Sequence, residues 1–487
     1  MCQTAPRRRR KKRAPTVCDP EEVSIFQNIR REWRPMLALA WPLVLAELGW
    51  MAMGIIDTIM VGRLPNSAVA IGAVSLGSIL FYTCTVFGGC LLLGLDTVVS
   101  QAYGAGRMAD CFLSLWNALY LCAVLAPALM LANAVMAAGL PHFGVNPRVL
   151  PQASAYIRIL NWGTLPLMLY FAFRRYLQGI GMVKPVMFAL ISANAVNLFG
   201  NWALIYGHLG FRAMGTDGSA WATCAARVYM AGVLVASAIY CDRVRHPGLF
   251  RVPLSPDWPR LARLLKLGIP AATHVMLELG VFGLTTALIA RLDAVSLAGH
   301  QIALNLASLT FMVPLGISSA AAVRVGHLIG QRDPAAAGHA GWSALACGVA
   351  FMSLAAVAFL TIPAQIARIY TPDPAVIRMS VKLLAIAAVF QLFDGCQVVA
   401  AGALRGTGNT RTPMLCNLLF YWFVGLPLGM WLCFRAGWGA AGLWTGLCAG
   451  LVLIGSTLLA VWRHTVAELY CMQADEPMRA PASPMSH

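Results

Sequence analysis

The sequence predicts an all-α integral membrane protein, with twelve transmembrane helices arranged as two six-helix lobes of the same orientation. Of its 487 residues, 59% are hydrophobic and only 11% are charged, with a mean hydropathy of +0.70. A soluble domain carries about 25% charged residues. The other two observations are a series of twelve apolar runs and an internal repeat that relates the two halves of the chain.

Each apolar run is close to the roughly 20 residues that a helix needs to cross a bilayer. An even number of spans places both termini on the same side of the membrane. Most of the 36 Lys and Arg residues fall in the tails and loops of that side, so the positive-inside rule predicts cytoplasmic termini. The predicted spans cover residues 37–62, 68–95, 112–139, 154–177, 186–206, 218–240, 264–290, 296–322, 338–364, 380–403, 414–434 and 439–462.

The repeat is carried by matching segments in the two halves. The segment "LQGIGMVKP", which starts at Leu177, returns as "LRGTGNTRTP", which starts at Leu404. Pro42 in the first span is matched by Pro270 in the seventh. Because the offset covers six helices, the halves keep the same orientation. Parallel halves related by an axis along the membrane normal suit alternating access between two lobes.

The predicted domain organisation follows from the repeat and from the charge distribution. The basic run "RRRRKKR" near the N-terminus favours contact with anionic lipid at the membrane surface, and we expect no nucleic-acid partner. The five parts are a basic cytoplasmic tail (1–35), an N-lobe (36–240), a cytoplasmic linker (241–261), a C-lobe (262–463) and a C-terminal tail (464–487).

The sequence gives no support to an enzyme. It contains no H-E-x-x-H, G-x-S-x-G or P-loop motif, which disfavours a membrane enzyme and an ATP-driven pump. The 14 cysteines form no C-x-x-C pair, so neither a zinc site nor a disulfide framework is predicted. We expect no catalytic residues and no cofactor.

Two acidic residues of the C-lobe are predicted to lie near the membrane midplane. Glu278 lies midway between Lys266 and Arg291 in span 7. Asp394 lies near the middle of span 10. A charged side chain at this depth costs at least about 2.5–3.5 kcal/mol, and such residues usually mark ion pathways. Two carboxylates at one depth are therefore candidates for a shared cation or proton, with Na⁺ as the candidate metal ion.

A second candidate site lies in the outer half of the N-lobe. Asp57 lies six residues before Arg63. Asn197 and Asn201 share one face of span 5, and Thr223 lies at a similar depth in span 6. One carboxylate with amide and hydroxyl oxygens suits a proton or a hard cation. The alternative is that the asparagines only hydrogen-bond neighbouring helices.

Three further residues are weaker candidates. Asn194 lies on the same helix face as Asn197 and Asn201. Glu47 is a second acid of span 1. His274 precedes Glu278 by one helical turn and is able to relay protons. For His274 the alternative is a structural hydrogen bond.

Asp96 is the remaining acid at the end of a span. It lies near the inner end of span 2, before the polar segment "SQAYGAGR". A carboxylate at that depth is expected to be solvated by water at little cost. We therefore expect Asp96 to cap a helix or to pair across a gate, and not to bind the transported ion.

Three further segments of the chain are long and specific. They are "DTIMVG" in span 1, "AGHQIALNLASLTFMVPLGISSAAAVRVGHLIG" after the acid of span 7, and "FDGCQVVAAGALRGTGNTRTP" from Phe393. These segments resemble the multidrug and toxic compound extrusion (MATE) family, in particular its NorM-type branch. The resemblance covers about residues 35–465.

The resemblance implies a V-shaped, twelve-helix antiporter in the cell inner membrane, which expels cationic amphiphiles against Na⁺ or H⁺. It implies that Asp57 is the coupling acid of the N-lobe and that Glu278 and Asp394 form the C-lobe cation pair. Some relatives carry an acid where Asn201 stands, and His274 is not part of the family pattern. The implied partners are cationic drugs or dyes and the lipid bilayer, and we expect a monomer.

The runner-up function is a lipid or lipid-linked oligosaccharide flippase of the same superfamily. A flippase cavity needs several cationic side chains to hold a pyrophosphate. The sequence offers only Arg227 clearly in the middle of a span, and we expect the other buried charges to be acidic, which favours the cation antiporter. The sequence leaves the substrate range and the choice between Na⁺ and H⁺ open.

Overall fold

The computed structural model of the protein describes residues 22–144, 146–245 and 247–475. The fold is all-helical, and the described ranges contain no strand. The first half comprises α1 (Glu22–Val61), α2 (Ser67–Leu91), α3 (Gly94–Gly104), α4 (Met108–Gly139), α5 (Leu150–Trp162), α6 (Thr164–Gly179), α7 (Val183–Tyr206) and α8 (Thr216–Val244), with a short 3₁₀ turn at Leu140–Phe143.

The second half comprises five long helices and three short ones. A π-helical segment interrupts the eleventh span between α14 and α15. The elements are α9 (Trp258–Ile289), α10 (Ala294–Gly330), α11 (Pro334–Thr361), α12 (Pro363–Arg368), α13 (Pro374–Thr407), α14 (Arg411–Asn417), the π segment (Leu418–Gly425), α15 (Leu426–Phe434) and α16 (Ala440–Asp475).

The described residues form eleven helical stretches that are long and apolar enough to cross a membrane. The predicted fourth span is formed by α5 and α6, which are 13 and 16 residues long and meet at Gly163. Each piece alone is too short to span a bilayer, but together they cover the predicted span. These eleven stretches and the broken fourth crossing confirm the predicted all-α membrane architecture.

The element boundaries differ from the predicted spans at both ends of the chain. The first helix begins at Glu22 and contains Pro35 and Pro42, so helical structure extends into the predicted N-terminal tail. The last helix continues to Asp475. Both extensions lie beyond the apolar runs, because a helix does not have to end where its membrane-facing segment ends. The run "RRRRKKR" lies outside the described residues.

Four acidic side chains outside the predicted sites start helices of the C-lobe. Asp257, Asp293, Asp333 and Asp373 each accept a hydrogen bond from the backbone N–H of the first turn of α9, α10, α11 and α13. Such caps satisfy donors that a helix leaves unpaired at its N-terminus. These acids therefore have a structural explanation, which leaves the acids within the spans to be explained.

The two lobes meet at the end of the bundle that the positive-inside rule assigns to the cytoplasm. Thr97 donates to the carbonyl of Arg405 at 2.5 Å, and Gln101 donates to the carbonyl of Gly406 at 3.0 Å. A Cβ on Gly104 would lie 2.0 Å from the carbonyl oxygen of His327, so the backbones touch there. We call this region, formed by residues 91–105, 179–181, 264–268, 326–330 and 405–408, the inner junction.

The topology can be tested at Pro256, an exposed residue of the linker between the lobes. In a chain whose own cysteines are replaced, Pro256→Cys is expected to resist membrane-impermeant thiol reagents in intact cells, because the positive-inside rule predicts that the basic linker faces the cytoplasm. Pro147→Cys, in the exposed loop after the third span, is the control and should label readily. Labelling of the Pro256→Cys variant with protection of the Pro147→Cys variant would invert the predicted topology.

Candidate functional site

The N-lobe candidate residues lie together between α1, α7 and α8. Asn201 Nδ2 donates to Asp57 Oδ1 at 2.6 Å, and Thr223 Oγ1 donates to Asp57 Oδ2 at 2.9 Å. Asn201 also contacts Asn197 Oδ1 at 3.2 Å. All four side chains are buried. We call them the N-lobe acid cluster. Their helices bring one carboxylate, two amides and one hydroxyl within hydrogen-bonding distance.

Asn194 lies apart from this cluster, although it is on the same helix. Its Nδ2 donates to the carbonyl oxygens of Gly49 and Leu190, both at 2.9 Å. The first of these bonds ties α7 to α1. The contacts are those of a residue that joins helices, which is the alternative given for the asparagines.

Arg227 is fully buried beside the N-lobe acid cluster. Its guanidinium lies 4.5 Å from the ring centroid of Phe81 and 5.8 Å from that of Tyr82. It donates to the carbonyl of Leu160 at 3.3 Å, and its charge acts on Asp57. The cation is therefore held by aromatic faces and a backbone carbonyl, close enough to offset part of the negative charge of Asp57.

Glu47 is not a free carboxylate. Its Oε1 forms a buried ion pair with Arg174 Nη2. Arg174 lies within α6 and is 2% exposed. It also contacts the hydroxyl of Tyr170 at 3.4 Å, and the Tyr170 ring stacks on Trp50. This weaker candidate is thus neutralised by a buried arginine of a neighbouring helix.

The C-lobe candidates face each other across α9 and α13. Gln397 Nε2 donates to Glu278 Oε1 at 3.1 Å, and the Gln397 side chain also interacts with Asp394. The two carboxylates lie close enough for each to feel the charge of the other. Asp394 is 4% exposed, and Glu278 is half-buried. We call Glu278 and Asp394 the C-lobe carboxylate pair. Gln397 is the glutamine that contacts both of them.

Several buried polar atoms around this pair have no hydrogen-bond partner within the described structure. They are His274 Nε2, Gln397 Oε1 and the hydroxyl of Tyr421, and the side chains of His274 and Gln397 lie close enough to interact with each other. Tyr421 lies in the π segment, 0% exposed, and both carboxylates act on it electrostatically. Buried polar groups are nearly always hydrogen-bonded, and π segments are frequent at functional sites. The arrangement leaves donors and acceptors around the pair for a bound ion or water.

The lobes differ in how their buried charges are balanced. In the N-lobe, the interior acids share the space with three buried arginines. The acids are Glu47, Asp57 and Asp96, and the arginines are Arg174, Arg175 and Arg227. In the C-lobe, the side chain of Arg405 is only 13% exposed, but it pairs with Asp96 of the N-lobe at 3.7 Å. Within the described structure, no Lys or Arg forms an ion pair with Glu278 or Asp394.

The structure corrects two expectations about charge. Asp96 does not meet water, because it is 0% exposed and pairs with Arg175 at 3.3 Å and with Arg405 of the other lobe at 3.7 Å. The expectation that the buried charges other than Arg227 are acidic is also wrong, because Arg174 and Arg175 are buried near the end of α6. Both differences have one cause, since neighbouring helices cover these helix ends.

Comparisons with known proteins agree with this architecture. The sequence model of the MatE family matches the chain twice, over residues 42–203 and 270–431. The chain is a member of the MATE family. The two matches begin at Pro42 and Pro270, the residues that the repeat pairs. The described spans also make this MATE protein a multi-pass membrane protein.

Curated relatives and solved structures extend over nearly the whole chain. The MATE protein is 37% identical to a probable multidrug resistance protein NorM from Mesorhizobium japonicum, over 89% of this chain and 94% of the relative. It is 38% identical to the multidrug resistance protein NorM of Burkholderia vietnamiensis, over 87% and 92%. The crystal structure of a eukaryotic MATE transporter matches with a TM-score of 0.81 at 18% identity, over 91% and 99%.

Sequence reasoning missed Gln397, Tyr421, Arg174 and Arg175. For Gln397 a signal existed, since it follows Asp394 by three residues and so lies on the same helix face. For Tyr421 no pattern was available, because a π-helical segment shifts the helix face that a regular period would predict. The described residues contain no group of three His, Cys, Asp or Glu side chains placed to hold a metal ion, so an ion here would also need amide, hydroxyl or water oxygens.

Proposed function

We propose that this MATE protein is a multidrug efflux antiporter, which exports cationic amphiphilic compounds in exchange for Na⁺ or H⁺ by alternating access. The observation that carries the proposal is the C-lobe carboxylate pair. It combines two acids on facing helices, no ion pair from either acid to a Lys or Arg of the described residues, and unpaired polar atoms around it. Such a site attracts cations, whether the cation is the drug or the coupling ion.

The C-lobe carboxylate pair offers the oxygen ligands that Na⁺ requires. Glu278 and Asp394 supply carboxylate oxygens, and the unpaired Oε1 of Gln397 supplies an amide oxygen. Hard cations bind several oxygens at once. We therefore assign Na⁺ to this pair. A drug cation that enters the site would compete with Na⁺ for the same negative charge, which is the basis of exchange.

The N-lobe acid cluster is proposed to exchange a proton. Asp57 is its single carboxylate, it is 6% exposed, and the charge of Arg227 acts on it. A nearby fixed cation opposes a second cation such as Na⁺ but permits a proton to leave or bind. A change in the charge of Asp57 would then shift the balance between the two states of the transporter.

The structure supports an assignment of this conformation to the outward-open state. The polar and backbone contacts between the lobes that are described above all lie at the inner junction. With the termini in the cytoplasm of a bacterial cell, this end faces inward, and the protein would lie in the inner membrane as a monomer. Export requires that the inner junction opens in the alternate state.

The buried arginines of the N-lobe are the observation that favours a flippase as the second candidate. Three guanidinium groups in one lobe resemble a set of phosphate ligands. However, Arg174 and Arg175 are paired with Glu47 and Asp96, and Arg227 lies on aromatic rings. With these partners in place they offer little positive charge to a lipid pyrophosphate, whereas the carboxylates of the C-lobe remain unneutralised.

A flux assay in proteoliposomes tests the proposal. A Na⁺ gradient alone, with equal pH and with K⁺ and valinomycin on both sides, is expected to drive uptake or release of a cationic dye. Na⁺ has the required oxygen ligands at Glu278 and Asp394, so its gradient should suffice. His274→Ala is expected to weaken the pH dependence of this flux and to leave the Na⁺-driven part.

Two other results of the same assay would contradict the proposed Na⁺-coupled export. Full flux with a pH gradient and none with a Na⁺ gradient would show a proton antiporter and remove the Na⁺ assignment. Transport of a lipid-linked sugar without any dye flux would favour the flippase. Protein-free vesicles and vesicles with the Asp394→Asn variant give the background for each gradient.

A further inference from the structure

A basic pocket lies on the C-lobe where the start of α9 meets the turn between α13 and α14. Its volume is 360 Å³, and it is lined by Lys266, Leu267 and the segment Thr407–Arg411. We call it the inner basic pocket. It is at the end of the bundle that carries the inner junction, far along α9 and α13 from Glu278 and Asp394. It borders the inner junction, with which it shares Lys266, Leu267, Thr407 and Gly408, but neither of the ion sites proposed above includes it.

The lining of this pocket suits an anion. Lys266 and Arg411 are exposed cations, and the lining contains no acidic residue. Within the described chain, neither cation lies within 4.0 Å of a carboxylate oxygen. Asn409 Oδ1 already accepts a hydrogen bond from the Thr412 N–H, which leaves the Asn409 NH₂ group as a donor. The pocket thus presents two positive charges and additional donors.

The repeat shows that the pocket is particular to the C-lobe. The turn contains Gly408 with a φ of 95°, and the equivalent turn of the N-lobe contains Gly181 with a φ of 78°, followed by Lys184. However, the N-lobe has Ala38 at the position that corresponds to Lys266. In addition, the imidazole of His327 lies over the N-lobe turn, 3.6 Å from the place of a Gly181 Cβ.

Apolar side chains next to the pocket distinguish a lipid from a free anion. Ile269 follows Lys266 by three residues and is 47% exposed, and Leu415 follows Arg411 by four residues and is 55% exposed. Residues three and four apart lie on the same helix face. On both helices, a cation at the membrane boundary is therefore followed, one turn deeper, by an exposed apolar side chain. A phospholipid has the same order, with a charged phosphate at the membrane boundary and apolar acyl chains deeper in the membrane.

We propose that the inner basic pocket binds the phosphate of an anionic phospholipid from the cytoplasmic leaflet, whose acyl chains lie along Ile269 and Leu415. Basic pockets between transmembrane helices on this side of a membrane are suited to anionic headgroups. The bound phosphate bridges Lys266 and Arg411 and so links α9 to the α13–α14 turn. That turn adjoins residues 405 and 406, whose carbonyls accept the inter-lobe hydrogen bonds of the inner junction.

The proposal is tested by lipid binding to the whole purified protein. The protein is placed in nanodiscs of phosphatidylcholine with increasing phosphatidylglycerol, and the thermal unfolding temperature and the number of retained phosphatidylglycerol molecules are measured. The variant is Lys266→Gln with Arg411→Gln. The matched control is Lys382→Gln with Arg378→Gln, which removes one Lys and one Arg from exposed positions at the other end of the C-lobe.

We expect phosphatidylglycerol to stabilise the natural protein and the control variant, and to stabilise the pocket variant much less. Each basic side chain near an anionic surface contributes about fivefold in affinity, so the loss should be roughly 25-fold for two such side chains. A Lys266→Arg, Arg411→Lys variant should keep the binding, which separates charge loss from misfolding.

Two results would overturn the proposal. Equal lipid dependence of the pocket and control variants would show general surface attraction without a site. Stabilisation by inorganic phosphate in pure phosphatidylcholine, to the same extent as by phosphatidylglycerol, would show a free-phosphate site. Neither result depends on whether the protein exports drugs, so the lipid site and the proposed function fail independently.

Discussion

Replacing Asp394 by Asn, or Glu278 by Gln, is expected to abolish export of cationic drugs while the protein still reaches the membrane in normal amount. Both substitutions keep the shape of the side chain and its contact with Gln397, but they remove one of the two negative charges. The interior of the C-lobe has no other acid within the described structure. Either substitution therefore removes half of the negative charge in that interior. A cation site that depends on paired carboxylates should then lose its ion.

Drug susceptibility of cells and dye efflux in vesicles measure this effect. The matched control is Glu468→Gln, which also removes one carboxylate, but from an exposed position of α16 beside His464. Its transport should equal that of the natural protein. If Asp394→Asn or Glu278→Gln retained full resistance at equal protein level, that residue would have no part in transport, and the proposal for the C-lobe would fail with it.

Replacing Glu47 by Gln is expected to destabilise the protein by about 3–5 kcal/mol, because it leaves the buried guanidinium of Arg174 without a counter-charge. The joint replacement Glu47→Gln with Arg174→Met should recover most of this loss. A buried ion pair replaced as a unit by neutral groups is often nearly neutral in stability. Unfolding in mixed micelles with increasing SDS measures the difference between the natural protein and the two variants.

The same variants decide whether Glu47 has a role in transport. If Glu47 only neutralises Arg174, the double variant should export dye at close to the natural rate. A double variant that is stable but does not transport would show that Glu47 acts in the mechanism. Tyr206→Phe is a suitable control, since it removes a single half-buried hydrogen bond to the Met60 carbonyl and should cost about 1 kcal/mol.

The fold was predictable because its determinants are local. Runs of about 20 apolar residues, the distribution of Lys and Arg and the repeat of Pro42 at Pro270 each follow from the sequence without knowledge of packing. The break at Gly163 was not predictable in the same way. The chain on both sides of Gly163 is one apolar run in the sequence. The break depends on packing, because Arg227 and Cys224 of α8 occupy the space beside Gly163.

The candidate site was predictable only in part. Depth and helix face placed Asn201 and Thr223 near Asp57, since both quantities follow from the rise and period of a helix. The partners of Glu47 and Asp96 did not follow, because an ion pair between helices depends on how each helix rotates against its neighbour. These partners, Arg174 and Arg175, lie at the end of a span, where the sequence does not show whether a helix end meets water or another lobe.

The uneven balance of buried charge between the lobes has a consequence for membrane voltage. Moving one elementary charge across the membrane costs or yields about 2.3 kcal/mol per 100 mV. In the proposed alternating-access cycle, the N-lobe interior would move little net charge, because its arginines offset its acids. The C-lobe carries Glu278 and Asp394 without such an offset among its described residues, so the conformational step of the C-lobe should be the electrically sensitive one. A single Na⁺ bound to the pair would leave one negative charge to move, and a second cation would leave none.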